Sequence, residues 1–571
     1  MKSFSDFFVP LQVVNLNKDT NIIVTLILLT LSIPLFWACV NYDSYYVDEG
    51  GEGFVLHVSL SVNVQGNNSA ATRADVPNGG EEGDGWQFGK DNENRLHNFT
   101  VFVLANNLNV NSPDNVEFAG SRYFSDEEVA RVDSIIENLK LKDYNVWKDV
   151  VTYDFTIPIT QYTAREVSAE SFRFIVITNY GDLTEQFTTL GQLRNAIPTA
   201  TWSVGSDGTA ERFVMANEND QYYGSGTGSE TDPIRLHVTV ERMAARIDYN
   251  PTGAALTEDG QLYYNIISDT PTASDEPTPP DNASSTPDTL AQLYIDKMAI
   301  VNACQKPSYY IKRVASDING TGLIYLGDET PTPRGIATNV VIDPYSTQKT
   351  AANTTNTTLL TNLFGDTRMS NVEQLLNSDS APVPGQIVTD VSKSVILGYV
   401  NENTYAPNMA HSAYTTGMAF KCRFVPLHNY YTAYNSETDE LTEGTYTIDE
   451  TFYMVEPNQA DISEADRLYF KNQADAQAYA SNTARKHFCK VVEYVGGICY
   501  YFAYFRHSNN VAVIHDTMEF GIVRNNIYTF TLTPTTGPGT PTIDPRHPEE
   551  LKARIYVKKW YLVEHPTILM S

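Results

Sequence analysis

Cysteine is scarce in this chain. There are five in 571 residues, with no Cys-x-x-Cys pair and no metal-ligand spacing among them. Basic charge is short as well: 39 Lys and Arg stand against 69 Asp and Glu, a net charge of −30. Nucleic acid is therefore not an expected partner, because phosphate binding needs a basic surface. The acids are dispersed rather than gathered in one tail, and they read as a solvated surface. Ten His carry no ligand pattern. There is no His-Glu-x-x-His zinc motif, no Gly-x-Ser-x-Gly elbow and no P-loop, so neither an enzyme nor a cofactor is expected. Trp and Met are few (5 and 10), whereas Tyr and Phe are plentiful (35 and 25). With Val, Ile and Thr they dominate the ordered-looking runs, which favours strands. The expected class is all-β with minor helices, and the length calls for at least two domains.

The chain organises itself around Phe54 to Ala74. Phe54, Leu56, Val58, Leu60, Val62 and Val64 are apolar and alternate with smaller or more polar residues. That is a half-buried strand with one core face. Gln65 to Ser69 follows as a flexible polar segment. Then comes Thr72-Arg73-Ala74, a lone basic residue in a Gly/Asn/Asp-rich loop, the kind of loop that proteases cut. A cut there would leave a core strand held by non-covalent contacts alone. The plain alternative is an N-terminal edge strand and an ordinary loop.

Upstream, Lys2 and Lys18 precede an apolar run from Ile22 to Trp37, and Ala38-Cys39 closes it. Residues 1–39 read as an export signal of the lipoprotein type, with Cys39 lipidated as the first mature residue. The competing reading is a membrane anchor, for which the run is short. Phe36 and Trp37 are bulkier than the usual residues before such a cysteine. Export would leave Cys304, Cys422, Cys489 and Cys499 open to oxidation. Cys489 and Cys499 flank Gly496-Gly497, but a turn there would not set them opposite each other, and the pairing stays open.

Further along, the acidic Gly79–Asn94 stretch lacks calcium-loop spacing and reads as a solvated loop. Ser125-Asp126-Glu127-Glu128 opens a helix with a capping box, its apolar face made by Val129, Val132, Ile136 and Leu139. Gly224-Ser225-Gly226-Thr227-Gly228 reads as a flexible linker, which places a domain boundary near residue 230. Residues 269–290 form a Pro/Thr/Ser/Asp insertion. Thr289 to Ala303 fits a helix or a strand equally. Asp466 to Ala484 reads as helical. Val491–Val495 and Ile498–Arg506 read as a hairpin about Gly496-Gly497. A terminal strand runs from Ala553 to Leu562, and its apolar Ala553, Ile555, Val557, Trp560 and Leu562 need a groove to enter.

Four pieces carry a family resemblance. They are Glu-Arg-Met-Ala-Ala-Arg-Ile at 241–247, Gly-Ile-Val-Arg-Asn-Asn-Ile-Tyr at 521–528, the Gly-Pro-Gly-Thr-Pro after it, and Val557-Lys-Lys-Trp560. Together they resemble the fimbrillin family, the subunits of type V pili of Bacteroides-type bacteria. The resemblance implies a lipoprotein precursor, anchored to the outer membrane through Cys39, with two transthyretin-like β-sandwich domains in tandem (40–230 and 231–571). It implies cleavage after Arg73 by an Arg-specific protease, so that Ala74 becomes the new N-terminus. The strand carrying Phe54, Leu56, Val58, Leu60 and Val62 then leaves, and the terminal strand of the next subunit enters the slot. The partners would be other pilus subunits, head to tail, in a surface fimbrium that supports adhesion. A tip or anchor subunit is the nearer rival, and a glycan-binding surface lipoprotein the more distant one, because the many Tyr are equally at home in strand pairs.

Overall fold

The structure, a computed structural model, describes residues 54–64, 86–105, 113–132, 152–159, 172–218, 222–267, 289–325, 340–379, 381–406, 413–457, 466–482, 489–507, 518–534, 537–543 and 551–561. Strands dominate them and build two large assemblies, the second made from Ala245 onward except for the short strand Trp86–Phe88.

The first is an eight-stranded sheet. Its order is Gly120–Phe124, Phe99–Ala105, Phe172–Thr178, Met215–Asn217, Ile234–Arg242, Phe54–Val64 and Tyr153–Ile159, with Tyr222–Tyr223 pairing to the third of these. The sheet curls so that its two ends approach. A Cβ on Gly120 would stand 2.4 Å from the Ile157 side chain, so only glycine fits at this closure. Inside lies one core, built from alternate residues such as Val101, Phe155, Phe174 and Val238. The outer face is covered in part by the helix Leu190–Asn195, where Phe102, Ile175, Leu190 and Leu193 pack together.

The second assembly is a sandwich. One sheet runs Val395–Val400, Ala245–Asn250, Asn526–Pro534, Leu551–Tyr561, Trp86–Phe88; the facing sheet runs Ala254–Leu256, Leu262–Ile267, Thr289–Val301, Gly417–Pro426, Ile498–Tyr504. Ile247, Tyr249, Tyr528 and Phe530 from the first meet Tyr264, Leu293, Phe420 and Phe424 from the second in a shared core.

Several expectations are settled or corrected here. Thr289–Val301 is a strand. The Ser125 capping box forms, with the Ser125 and Glu128 backbone N–H groups each donating to the other's side chain. Gly224–Gly228 is not a loose linker: Ser225 bridges to Arg235, and a Cβ on Gly226 would strike the Pro233 carbonyl. The strand after it, Ile234–Arg242, belongs to the first sheet, and Ala245–Asn250 to the second. The chain therefore changes sheets at Met243–Ala244. The expected hairpin about Gly496-Gly497 is also not one. Cys489–Tyr494 pairs with Phe452–Pro457 and Ile498–Tyr504 with Gly417–Pro426, so the turn passes from one sheet to another. The reason is an insertion. Residues 427–497 leave between two paired strands of the sandwich and build a five-stranded sheet of their own, with the helix Gln473–Ala480 packed on it. Among the described residues of the expected helical stretch 466–484, Gln473–Ala480 is the α-helix and Leu468–Phe470 is a strand.

Candidate functional site

The opening strand Phe54–Val64 is not at an edge. It pairs in parallel with Ile234–Arg242 from Val58↔Ile234 to Val64↔Val240, and antiparallel with Tyr153–Ile159 from Phe54↔Ile159 to Leu60↔Tyr153. Both ladders are therefore satisfied by other strands, and the plain edge-strand reading is corrected. The alternation seen in the sequence sets the burial: Leu56, Val58 and Leu60 are 0%, 1% and 0% exposed, and Val62 packs partly against the same core. Burying three such side chains contributes about 5–9 kcal/mol. The Gly224–Gly228 turn closes over the strand. The His57 N–H donates to the Gly228 carbonyl at 2.9 Å. Gly228, at φ +73°, leaves room for Leu56, whose Cδ1 would lie 2.4 Å from a Cβ there. Taking this strand away would leave an apolar slot between two strands with unpaired backbone groups, a site that only another strand fits.

The two Arg-containing motifs have a different task. They meet where the chain changes sheets, and all three arginines are buried: Arg242, Arg246 and Arg524. Arg246 donates to Asp248 and to Glu93 Oε2 at 2.8 Å, and the Tyr399 hydroxyl donates to the other Glu93 oxygen. Burial alone would lower the Arg246 guanidinium, but Asp248 and Glu93 offset it and leave it raised. Arg242 donates to the Glu93 carbonyl, Asn94 and Asn525, and burial lowers it to about 9. Arg524 pairs with Glu402 at 2.8 Å and donates to the Tyr309 and Tyr310 carbonyls; Lys312 pairs with Glu241 at 3.1 Å. Buried charge of this kind is costly to leave unpaired, which makes the junction specific in geometry rather than a source of net stability. Glu93, expected in a solvated loop, is thus a fully buried partner of residues from both sheets. Its Arg246 lies 153 positions away, so nothing local in the sequence marks it.

This junction also holds the neighbour of the terminal strand. Gln87, on Trp86–Phe88, donates to Asp248 at 2.7 Å, and the same residue is the register partner of Trp560. The terminal strand Leu551–Tyr561 lies between this short strand and Asn526–Pro534. Ala553, Ile555 and Val557 stand opposite Leu532, Phe530 and Tyr528. Ile555 packs partly against the second core. The expected donor residues therefore occupy a place in their own chain's sheet. Cys39, Arg73, Ala74 and Leu562 lie outside the described residues, as do the side chains of Phe54, Ala553, Val557 and Trp560.

Among the described residues no group of three or more His, Cys, Asp or Glu is arranged to hold a metal ion, and no helix is long and apolar enough to cross a membrane.

Comparison with known proteins bears on the same segments. No curated protein matches the chain. Solved structures similar to it include a fimbrilin from Porphyromonas gingivalis (14% identity, 89% of this chain and 99% of that one, TM-score 0.35). A tip fimbrial protein from the same species matches at 10% identity, over 88% of this chain and 100% of that one, TM-score 0.31. A fimbrial assembly protein from Parabacteroides distasonis matches at 10% identity, over 69% of this chain and 100% of that one, TM-score 0.24. Residues 492–565, which hold the Gly-Ile-Val-Arg-Asn-Asn run and the terminal strand, match the family described as major fimbrial subunit protein type IV, fimbrillin, C-terminal, and in that segment the resemblance read from the residues is met by a fimbrillin family match.

Proposed function

We propose that this chain is a structural pilus subunit that polymerises by strand exchange after proteolysis. The observation that carries the reading is the opening strand. It is an internal strand, paired on both sides, that fills an apolar slot and is followed in the sequence by a Gly/Asn-rich stretch with a single arginine, Arg73. In this reading residues 1–39 direct export, Cys39 is lipidated, and the precursor waits on the outer membrane with its slot filled. An Arg-specific protease cuts between Arg73 and Ala74. The opening strand, no longer tethered, gives way to the terminal strand of a second copy, and the filament grows head to tail because donor and acceptor lie at different places on each subunit. The two domains divide at Met243–Ala244, and the buried Arg junction keeps acceptor and donor in fixed relation along the filament.

The test is the N-terminus of subunits sheared from the cell surface. The sequence expected begins Ala74-Asp75-Val76-Pro77. Filament subunits that still begin at or before Phe54 would overturn the reading.

A further inference from the structure

The stem of the 427–497 insertion carries two thiols that face each other. Cys422 and Cys499 are register partners on the antiparallel strands Gly417–Pro426 and Ile498–Tyr504. Alternation fixes their direction. Lys421 and Arg423 are half-buried on one side of the first strand, while Phe420, Cys422 and Phe424 point into the sandwich core; Cys499 and Tyr501 point into the same core from the second strand. Directly opposed residues of an antiparallel pair have Cα separations of about 4.5–5.5 Å, within the range of about 4.4–6.8 Å that a disulfide spans, and Cβ atoms that approach to about 4.5 Å, the long end of the disulfide's range of about 3.5–4.5 Å. The other mature cysteines are placed elsewhere. Cys304 is buried in a separate cluster, and Cys489 stands opposite Pro457 in the inserted sheet.

We propose that Cys422 and Cys499 are joined by a disulfide in the exported protein, closing the base of the insertion. This rests on the export reading above, because a reducing compartment would keep both as thiols. The bond forms by thiol–disulfide exchange with an oxidised dithiol carrier. One cysteine thiolate attacks the carrier's disulfide, and the second then attacks the mixed disulfide. An S–S bond joins Cys422 to Cys499, the carrier's S–S bond breaks, and the two electrons and, by way of solvent, the two thiol protons pass to the carrier, which leaves as its dithiol. The exchange precedes closure of the core. Both side chains are 0% exposed once folded, and burial pushes the Cys422 thiol well up, away from the attacking thiolate form. The same burial then shields the bond from reductants. A cross-link across a loop this long restricts the unfolded chain strongly. It also keeps the inserted sheet pinned to the two strands it springs from.

The probe is a maleimide applied to the denatured full chain without reductant, with each cysteine scored by mass spectrometry. One arm uses chain given an added export signal, so that it passes an oxidising compartment whatever its own N-terminus does. A second arm uses native chain sheared from the cell surface. The expected result is labelling at Cys304 and Cys489, none at Cys422 or Cys499 until reduction, and an unreduced peptide joining those two. Cys422→Ala should then expose Cys499 to label. Unreduced labelling at both Cys422 and Cys499 in the added-signal arm, or a peptide joining Cys499 to Cys489, would overturn the pairing. The joined peptide in that arm, with native chain missing from the surface fraction, supports the pairing and counts against the export reading alone.

Discussion

Replacing Arg73 with Ala should abolish filaments rather than slow them. While the opening strand is part of the chain it competes for its slot as a tethered segment, at an effective concentration of roughly millimolar. A second copy's strand, present at far lower concentration, has to displace it from two ladders and from the core that buries Leu56, Val58 and Leu60. Cleavage removes the tether. The three buried side chains contribute about 5–9 kcal/mol, comparable to the whole stability of a typical domain at about 5–15 kcal/mol. An emptied subunit would therefore not persist, and uptake of a new strand would follow loss of the old one. The uncut variant should run as a monomer on size exclusion and still incorporate labelled lipid at Cys39. Filaments of ordinary length from uncut Arg73→Ala protein would refute cleavage-triggered assembly.

Deleting residues 551–571 should turn a subunit into a chain terminator. The truncated precursor keeps its own opening strand, so its first core remains filled. In the second assembly Asn526–Pro534 keeps Ala245–Asn250 as a neighbour, and among the described side chains of the deleted segment Ile555 is the one lost from the core. It should fold, with weaker resistance to denaturant because a nine-position ladder is gone. Once cut, it accepts a strand but offers none. Mixed equally with full-length subunits, it should reduce mean filament length to roughly two subunits, since each addition then has an even chance of ending growth. Unchanged lengths by electron microscopy, from truncated protein shown to be folded, would remove the terminal strand from the mechanism. Its observed place shapes the energetics. Donation would exchange the ladder with Asn526–Pro534 for a ladder in the neighbour's slot, so the net drive would come from refilling the acceptor rather than from new pairing by the donor.

Strands with clear alternation were legible in the sequence, Thr289–Val301 and Leu468–Phe470 were not, and the neighbours of none were. Phe54–Val64 announces its inward face by alternation, which depends on one strand alone. That it lies between Ile234–Arg242 and Tyr153–Ile159 depends on residues about 100 to 180 positions away. The Gly496-Gly497 turn misled for the same reason. A hairpin and a crossing between sheets share the same local glycines, here at φ +62° and +68°, and only the 427–497 insertion decides between them. Glu93 looked solvated because acids usually are; its burial comes with Arg246, 153 positions away, which faces it only in the folded chain. The Arg motifs served as markers of resemblance before their physical role as a buried junction was visible. Arg73 and Cys39, by contrast, rest on sequence alone and lie outside the described residues.

The central claim is that the slot of one subunit holds the terminal strand of the next. His237 is exposed and stands opposite Ser61 along the slot, so a photo-reactive phenylalanine analogue placed there reports whichever strand lies alongside. In the uncut precursor it should cross-link to the chain's own residues 59–63. In filaments it should cross-link to residues 551–562 of a second copy, read as a covalent dimer and identified by peptide mass. Filaments in which the cross-link still falls on residues 59–63 would contradict the account.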